Sequence, residues 1–149
     1  MYKGLKSIFV WVCLVFLITT PAQADPVYNT RVRVIHARTG PAQIDPGIKA
    51  VVREIQPVFK YTRFNLLNDK KMMLAQGQKG SLFLPGNRSL VITPVTRKKN
   101  RIQYHIRINA KGNPVFQTNV MLKNHDSVTI GGPKFKKGVL LLNILGSTP

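Results

Sequence analysis

The sequence predicts a mainly β fold, at the margin of α+β. The expected form is an antiparallel β-sandwich or rolled sheet of about seven to eight strands with one early amphipathic helix. Three observations carry this. Short stretches with apolar residues at every second position recur at a spacing of roughly ten residues. Polar and glycine- or proline-bearing turns separate them. The 3.6-residue period of an amphipathic helix occurs in one place, between Asp45 and Pro57.

The first element lies within Asp25 to Arg38, where Val32 and Val34 alternate with Arg31 and Arg33. Thr39-Gly40-Pro41 breaks it. Asp45 then stands as the N-cap of a helix with Pro46 at the first helical position. Ile48, Val51, Val52 and Ile55 line one face of that helix; Lys49, Arg53 and Glu54 face away, and Pro57 ends it. Such a helix is expected to cover one side of a sheet.

Strands are expected over Thr62 to Asn68 and Met72 to Ala75, joined by a turn at Asn68-Asp69-Lys70. Ser81 to Leu84 follows, ending at Pro85-Gly86-Asn87. Ser89 to Thr96 and Arg101 to Asn109 form a hairpin across Lys98-Lys99-Asn100. In the second of these, Ile102, Tyr104, Ile106 and Ile108 point inward while Arg101, Gln103, His105 and Arg107 point out. Pro114 to Leu122 and Ser127 to Ile130 come next. Gly131-Gly132-Pro133 and a basic loop then lead to Val139 to Leu145. That last stretch is apolar on both faces except for Asn143, the pattern of a strand covered on both sides.

Before all of this, residues 1–24 have the three parts of a cleaved export signal. Lys3 and Lys6 precede an apolar run from Ser7 to Ile18, and Ala22-Gln23-Ala24 is a small-x-small cleavage site. The apolar run is short for a bilayer crossing of about 20 residues. Residues 25–149 then form a single basic β-rich domain with no transmembrane segment. Cys13 leaves with the signal, so the mature chain has no cysteine, which excludes disulfide scaffolds and Cys-ligated metal sites. The expected location is the bacterial periplasm, or otherwise the outside of the cell.

Charge is the strongest compositional signal. The chain has 23 Lys and Arg against 5 Asp and Glu. Losing Lys3 and Lys6 leaves 21 bases and the same 5 acids, a net of +16. The acids are dispersed: Asp25 at the new terminus, Asp45 at the helix start, Glu54 on its outer face, and Asp69 and Asp126 in turns. Neither a pair of catalytic carboxylates nor a hard-cation site is legible in that distribution. The histidines, His36, His105 and His125, are far apart in sequence, and His36 shares parity with Val32 and Val34 as a half-buried strand residue. His125-Asp126-Ser127 holds three catalytic residue types, but adjacent residues diverge and form no relay. Gly77-Gln78-Lys79-Gly80 is too short for a phosphate loop. The expectation is a non-enzyme without a cofactor or metal, with a hydrolase using a site around His36 or His125 as the alternative.

Lysine at turns and sheet edges serves solubility and blocks edge pairing. That does not explain the shortage of acids, because an excess of one sign repels itself and attracts anions. The expected role is therefore a binding or accessory domain that docks an anionic envelope component: lipopolysaccharide, a lipid headgroup, an acidic glycan or an acidic protein surface. Nucleic acid is disfavoured by export. The candidate anion-binding residues are Arg97, Lys98, Lys99 and Arg101 on one hairpin, and Lys134, Lys136 and Lys137 before the last strand. Alternate hairpin turns emerge at opposite ends of a meander, so the two clusters need not share a patch. The competing expectation is a structural subunit of an envelope or secretion assembly, joined through its sheet edges, with the charge serving solubility.

Leu122-Lys123-Asn124-His125-Asp126-Ser127-Val128-Thr129-Ile130-Gly131-Gly132 resembles a hairpin of bacterial secretins, in which a polar turn precedes a short β-branched strand ending in Gly-Gly. That resemblance implies a similar hairpin and not a pore. The Asp-Pro helix start, the Leu-Pro-Gly turn and this Gly-Gly end together resemble small exported bacterial proteins of unassigned function, which implies no particular site residues.

Overall fold

The computed structural model describes residues 22–149; residues 1–21, which hold most of the expected export signal and Cys13, lie outside the described residues. Strand β1 (Val27–Arg38) is followed by the two-residue strand β2 (Gln43–Ile44), a 3-10 turn at Pro46–Ile48 and helix α1 (Lys49–Ile55). Then come β3 (Arg63–Ala75), β4 (Gly80–Leu84), β5 (Arg88–Lys98), β6 (Arg101–Ala110), β7 (Asn113–Lys123), β8 (Asp126–Phe135) and β9 (Gly138–Ser147). These strands make a five-stranded sheet in the order β2-β3-β1-β9-β8 and a four-stranded meander, β4-β5-β6-β7. Every pairing is antiparallel except β2 with β3. The fold is the expected β-sandwich or rolled sheet.

Alternation along the strands builds the main core. Tyr28, Val32 and Val34 of β1 and Leu140, Leu142 and Ile144 of β9 meet Leu90, Ile92, Ile102, Tyr104, Ile106 and Ile108 of the second sheet. Burying this much apolar surface is the chief stabilising term of a domain this size. Between the sheets the Tyr104 hydroxyl lies 2.9 Å from Thr30 Oγ1, so this buried polar group is satisfied.

A second core lies on the outer face of the five-stranded sheet. Ile48, Val51, Val52 and Ile55 pack there on Ile35, Ala37, Phe64 and Leu141, with Phe59 beside them. Strand β9 thus has Leu140, Leu142 and Ile144 in one core and Leu141 in the other, which is why its sequence is apolar on both faces. Among the described residues, both cores and every strand pairing are drawn from residues 27–147.

Local expectations are corrected at three places. Asn68-Asp69-Lys70 is not a turn: β3 runs unbroken through it, because the long β1 supplies backbone partners from Val27↔Ala75 to Arg38↔Arg63. The polar residues are accommodated on solvent-facing positions, and Leu67 is the extra residue of a bulge. Asp45 precedes the helical segment, but its side chain makes no cap hydrogen bond. Its carboxylate instead accepts from the Leu66 backbone N–H at 2.7 Å, taking over where the β2 ladder stops. Finally, Gly131-Gly132-Pro133 lies inside β8, absorbed by a bulge between Gly131 and Lys134.

Candidate anion-binding surfaces

Hairpin turns set where the bases gather. At one end, β5 and β6 join through Lys99 and Asn100, and Lys98 pairs with Arg101, which pairs in turn with Lys123 of β7. Three like charges therefore stand in one row on the outer face of the meander. With Lys99 and Asn100 they line a shallow cleft of about 380 Å³. Arg97 is directed the other way, its Nε donating to the Lys99 carbonyl at 3.1 Å. The neighbouring β7–β8 turn is tied on by the Asn124 N–H to the Asn100 carbonyl, 2.8 Å. Lys123 is not among the site residues expected from sequence; its pairing with Arg101 across the strands places it here.

Lys134, Lys136 and Lys137 lie at the opposite end. The β8–β9 turn brings them beside the end of β1, where Arg38 pairs with Gly138 on one side and Arg63 on the other. Arg88 of the meander reaches across and donates from Nη1 to the Lys134 carbonyl at 3.1 Å. Lys136 Nζ sits 5.4 Å from the centre of the Phe135 ring. His36 meets that ring edge-on at 5.2 Å, and its Nε2 is 3.2 Å from the Phe135 carbonyl, the geometry of an Nε2–H donor. Burial holds the His36 imidazole below its ordinary value; the Phe135 carbonyl opposes this, and the charges of Arg38 and Lys136 add to it. The two expected clusters are therefore separate surfaces at the two ends of the sandwich.

The left-handed backbone at these turns is informative. Lys99, Lys111 and Lys136 have φ of 53°, 50° and 50°. Asparagine and glycine suit such positions in hairpins, whereas a side chain like lysine costs about 1 kcal/mol there. Local conformation therefore does not account for lysine at three hairpin turns.

A third polar region occupies the outer face of the five-stranded sheet beyond α1. Asp69 accepts from Arg31 Nε at 2.7 Å and Arg31 Nη2 at 2.5 Å, a two-pronged pair. Arg33 Nε lies 3.9 Å from the same carboxylate. Buried Asn143 accepts from Arg33 Nη1 at 3.3 Å and donates to Thr129 Oγ1 at 2.9 Å. Hydrogen bonding from Arg31 holds the Asp69 carboxyl below its ordinary value, against the opposing effect of burial. This network makes structural sense of Asn143 in an otherwise apolar strand. It could not be read from sequence, because Asp69 reaches Arg31 only if β3 continues past Asn68.

The three histidines lie apart: His36 at the end of β1, His105 with its Nδ1 2.9 Å from Asn119 Oδ1 on the meander, and His125 in the β7–β8 turn. Among the described residues no group of three His, Cys, Asp or Glu converges as metal ligands would. None of their helices is long and apolar enough to cross a membrane. No protein family, curated protein or solved structure matches this chain.

Proposed function

We propose that this chain is a non-enzymatic exported domain that docks an anionic component of the bacterial envelope through the basic strand ends of its sandwich. The observation that carries the reading is the lack of charge pairing. Among the described residues, Asp69 with Arg31 and Arg33 makes the two ion pairs present, and every other Lys and Arg is without a carboxylate partner. Unneutralised charge of one sign sets up a field that attracts anions and costs the fold self-repulsion. The lysines at left-handed turn positions support the same reading, since they give up turn stability for charge.

The test is a capture of envelope extract by immobilised residues 25–149, eluted in rising salt. Lipid or glycan released well below molar salt is expected, because the screening length falls to about 3 Å at 1 M. Replacing Lys134, Lys136 and Lys137 by serine, or Arg97, Lys98, Lys99 and Arg101 by serine, should weaken capture and flatten its salt dependence. A defined protein partner that survives molar salt would refute electrostatic docking and favour assembly through the sheet edges.

A further inference from the structure

Strands β7 and β8 follow one another in the chain but belong to different sheets. At the Lys134 end both are bulged. On β7 the register to β6 slips between Ile108 and Asn109, leaving Val115 as the extra residue. On β8 the register to β9 slips between Gly131 and Lys134. A bulge bends its strand and disrupts the ladder locally. Between the two bulged edges lies a cleft of about 370 Å³, within the range of small-molecule sites.

Its walls are apolar. Ile108, Val115 and Phe116 line one side, and Gly131, Gly132 and Pro133 the other. Glycine is required at position 132, where a Cβ would come within 2.8 Å of the Leu140 carbonyl oxygen. Val115 is 59% and Phe116 40% exposed, so apolar surface on an edge strand is left uncovered. Arg88 is the charged side chain at this cleft, held across it by the Lys134 carbonyl. Arg88 also lines a second groove together with Lys111 and Phe83, which is 87% exposed. Lys134, Lys136 and Lys137 surround the same end without a carboxylate partner.

We propose that this cleft is a binding site for an anionic phospholipid, with hydrocarbon against Val115 and Phe116, the phosphate on Arg88, and the neighbouring lysines at adjacent headgroups. The inference rests on the anion-docking reading and names its ligand. An acidic glycan or free phosphate would use the charges and leave the apolar wall bare. A second copy of the chain would bring the same positive excess to the contact. An anionic amphiphile uses both features, as lysine stems and aromatic tips do at membrane surfaces.

The test is flotation of residues 25–149 with vesicles of equimolar palmitoyl-oleoyl phosphatidylglycerol and phosphatidylcholine, alongside retention on immobilised heparin as a charge-only probe. The wild-type domain is expected to float. Val115→Ser with Phe116→Ser, both on an exposed edge, should weaken partition about tenfold while leaving heparin elution unchanged. Ala110 also lines the cleft, so Ala110→Phe, which fills it without removing apolar surface, should act in the same direction, and thermal melts confirm that each variant is folded. If the serine pair and Ala110→Phe float as well as wild type, or if the wild-type domain holds heparin but not vesicles, the lipid site is refuted and anion docking stands. Binding to neither probe would overturn both.

Discussion

Removing the Asp69 carboxylate tests whether the outer-face network stabilises the fold. In Asp69→Asn the two-pronged ionic pair with Arg31 becomes at best one hydrogen bond from the guanidinium to a neutral amide oxygen. Arg31, Arg33 and Lys71 then lose the carboxylate that faces them. The Arg31 and Asp69 side chains are 31% and 26% exposed, so the pair is partly screened. A well-buried charge-assisted hydrogen bond contributes about 1.5–3 kcal/mol, and an exposed ion pair about 0–1 kcal/mol. An intermediate geometry gives a loss of about 1.5 kcal/mol, with a fall in melting temperature of about 5 °C for a domain of this length. The pH dependence has a definite sign. The folded-state Asp69 carboxyl lies below the ordinary value of 3.8. Its contribution is therefore complete above the unfolded value and lost as pH falls through the lower folded one. Urea unfolding followed by circular dichroism should separate wild type from Asp69→Asn at neutral pH and bring them together in strong acid. An equal difference at both pH values would refute the electrostatic account, and no difference at neutral pH would show that the pair contributes nothing.

Changing Lys99, Lys111 and Lys136 together to Asn should raise the unfolding free energy by about 1–3 kcal/mol and weaken anion binding; calorimetry and heparin retention read the two effects, and lower stability would contradict the left-handed turn argument. Ile106→Ala, fully buried between the sheets, should cost about 2–5 kcal/mol in urea unfolding, whereas Phe83→Ala at 87% exposure should change it by less than about 0.5 kcal/mol. The folded-state His36 imidazole titrates below its ordinary value of 6.5, so the folded protein disfavours the charged form. Stability should fall as pH drops from the unfolded value through the folded one, and proton NMR should place the His36 midpoint below 6.5; a midpoint above it would refute the burial argument.

Much of the fold is legible in local pattern because side-chain direction repeats every two residues in a strand and every 3.6 in a helix. The inward row Ile102, Tyr104, Ile106 and Ile108 is buried as that rule requires. So are Ile48, Val51, Val52 and Ile55 of the helical segment, and the doubly apolar last strand lies inside its sheet. The basic clusters are legible as lists of residues but not as surfaces. Lys123 joins Lys98 and Arg101 through strand register, and Arg88 joins Lys134 by reaching between sheets.

Asn68-Asp69-Lys70 marks the limit of local reading. Three polar residues in a row have turn composition, yet they continue a strand because β1, more than thirty residues earlier, offers them a ladder and Arg31 and Arg33 offer Asp69 its partners. Gly131-Gly132-Pro133 has the composition of a break and is instead a bulge within β8, beside the bulged edge of β7. Composition and periodicity alone therefore determine the fold class, the helix face, the inward rows and the excess of positive charge. Register, bulges and the separation of the two basic ends depend on pairing between distant segments, and only the tertiary structure decides those.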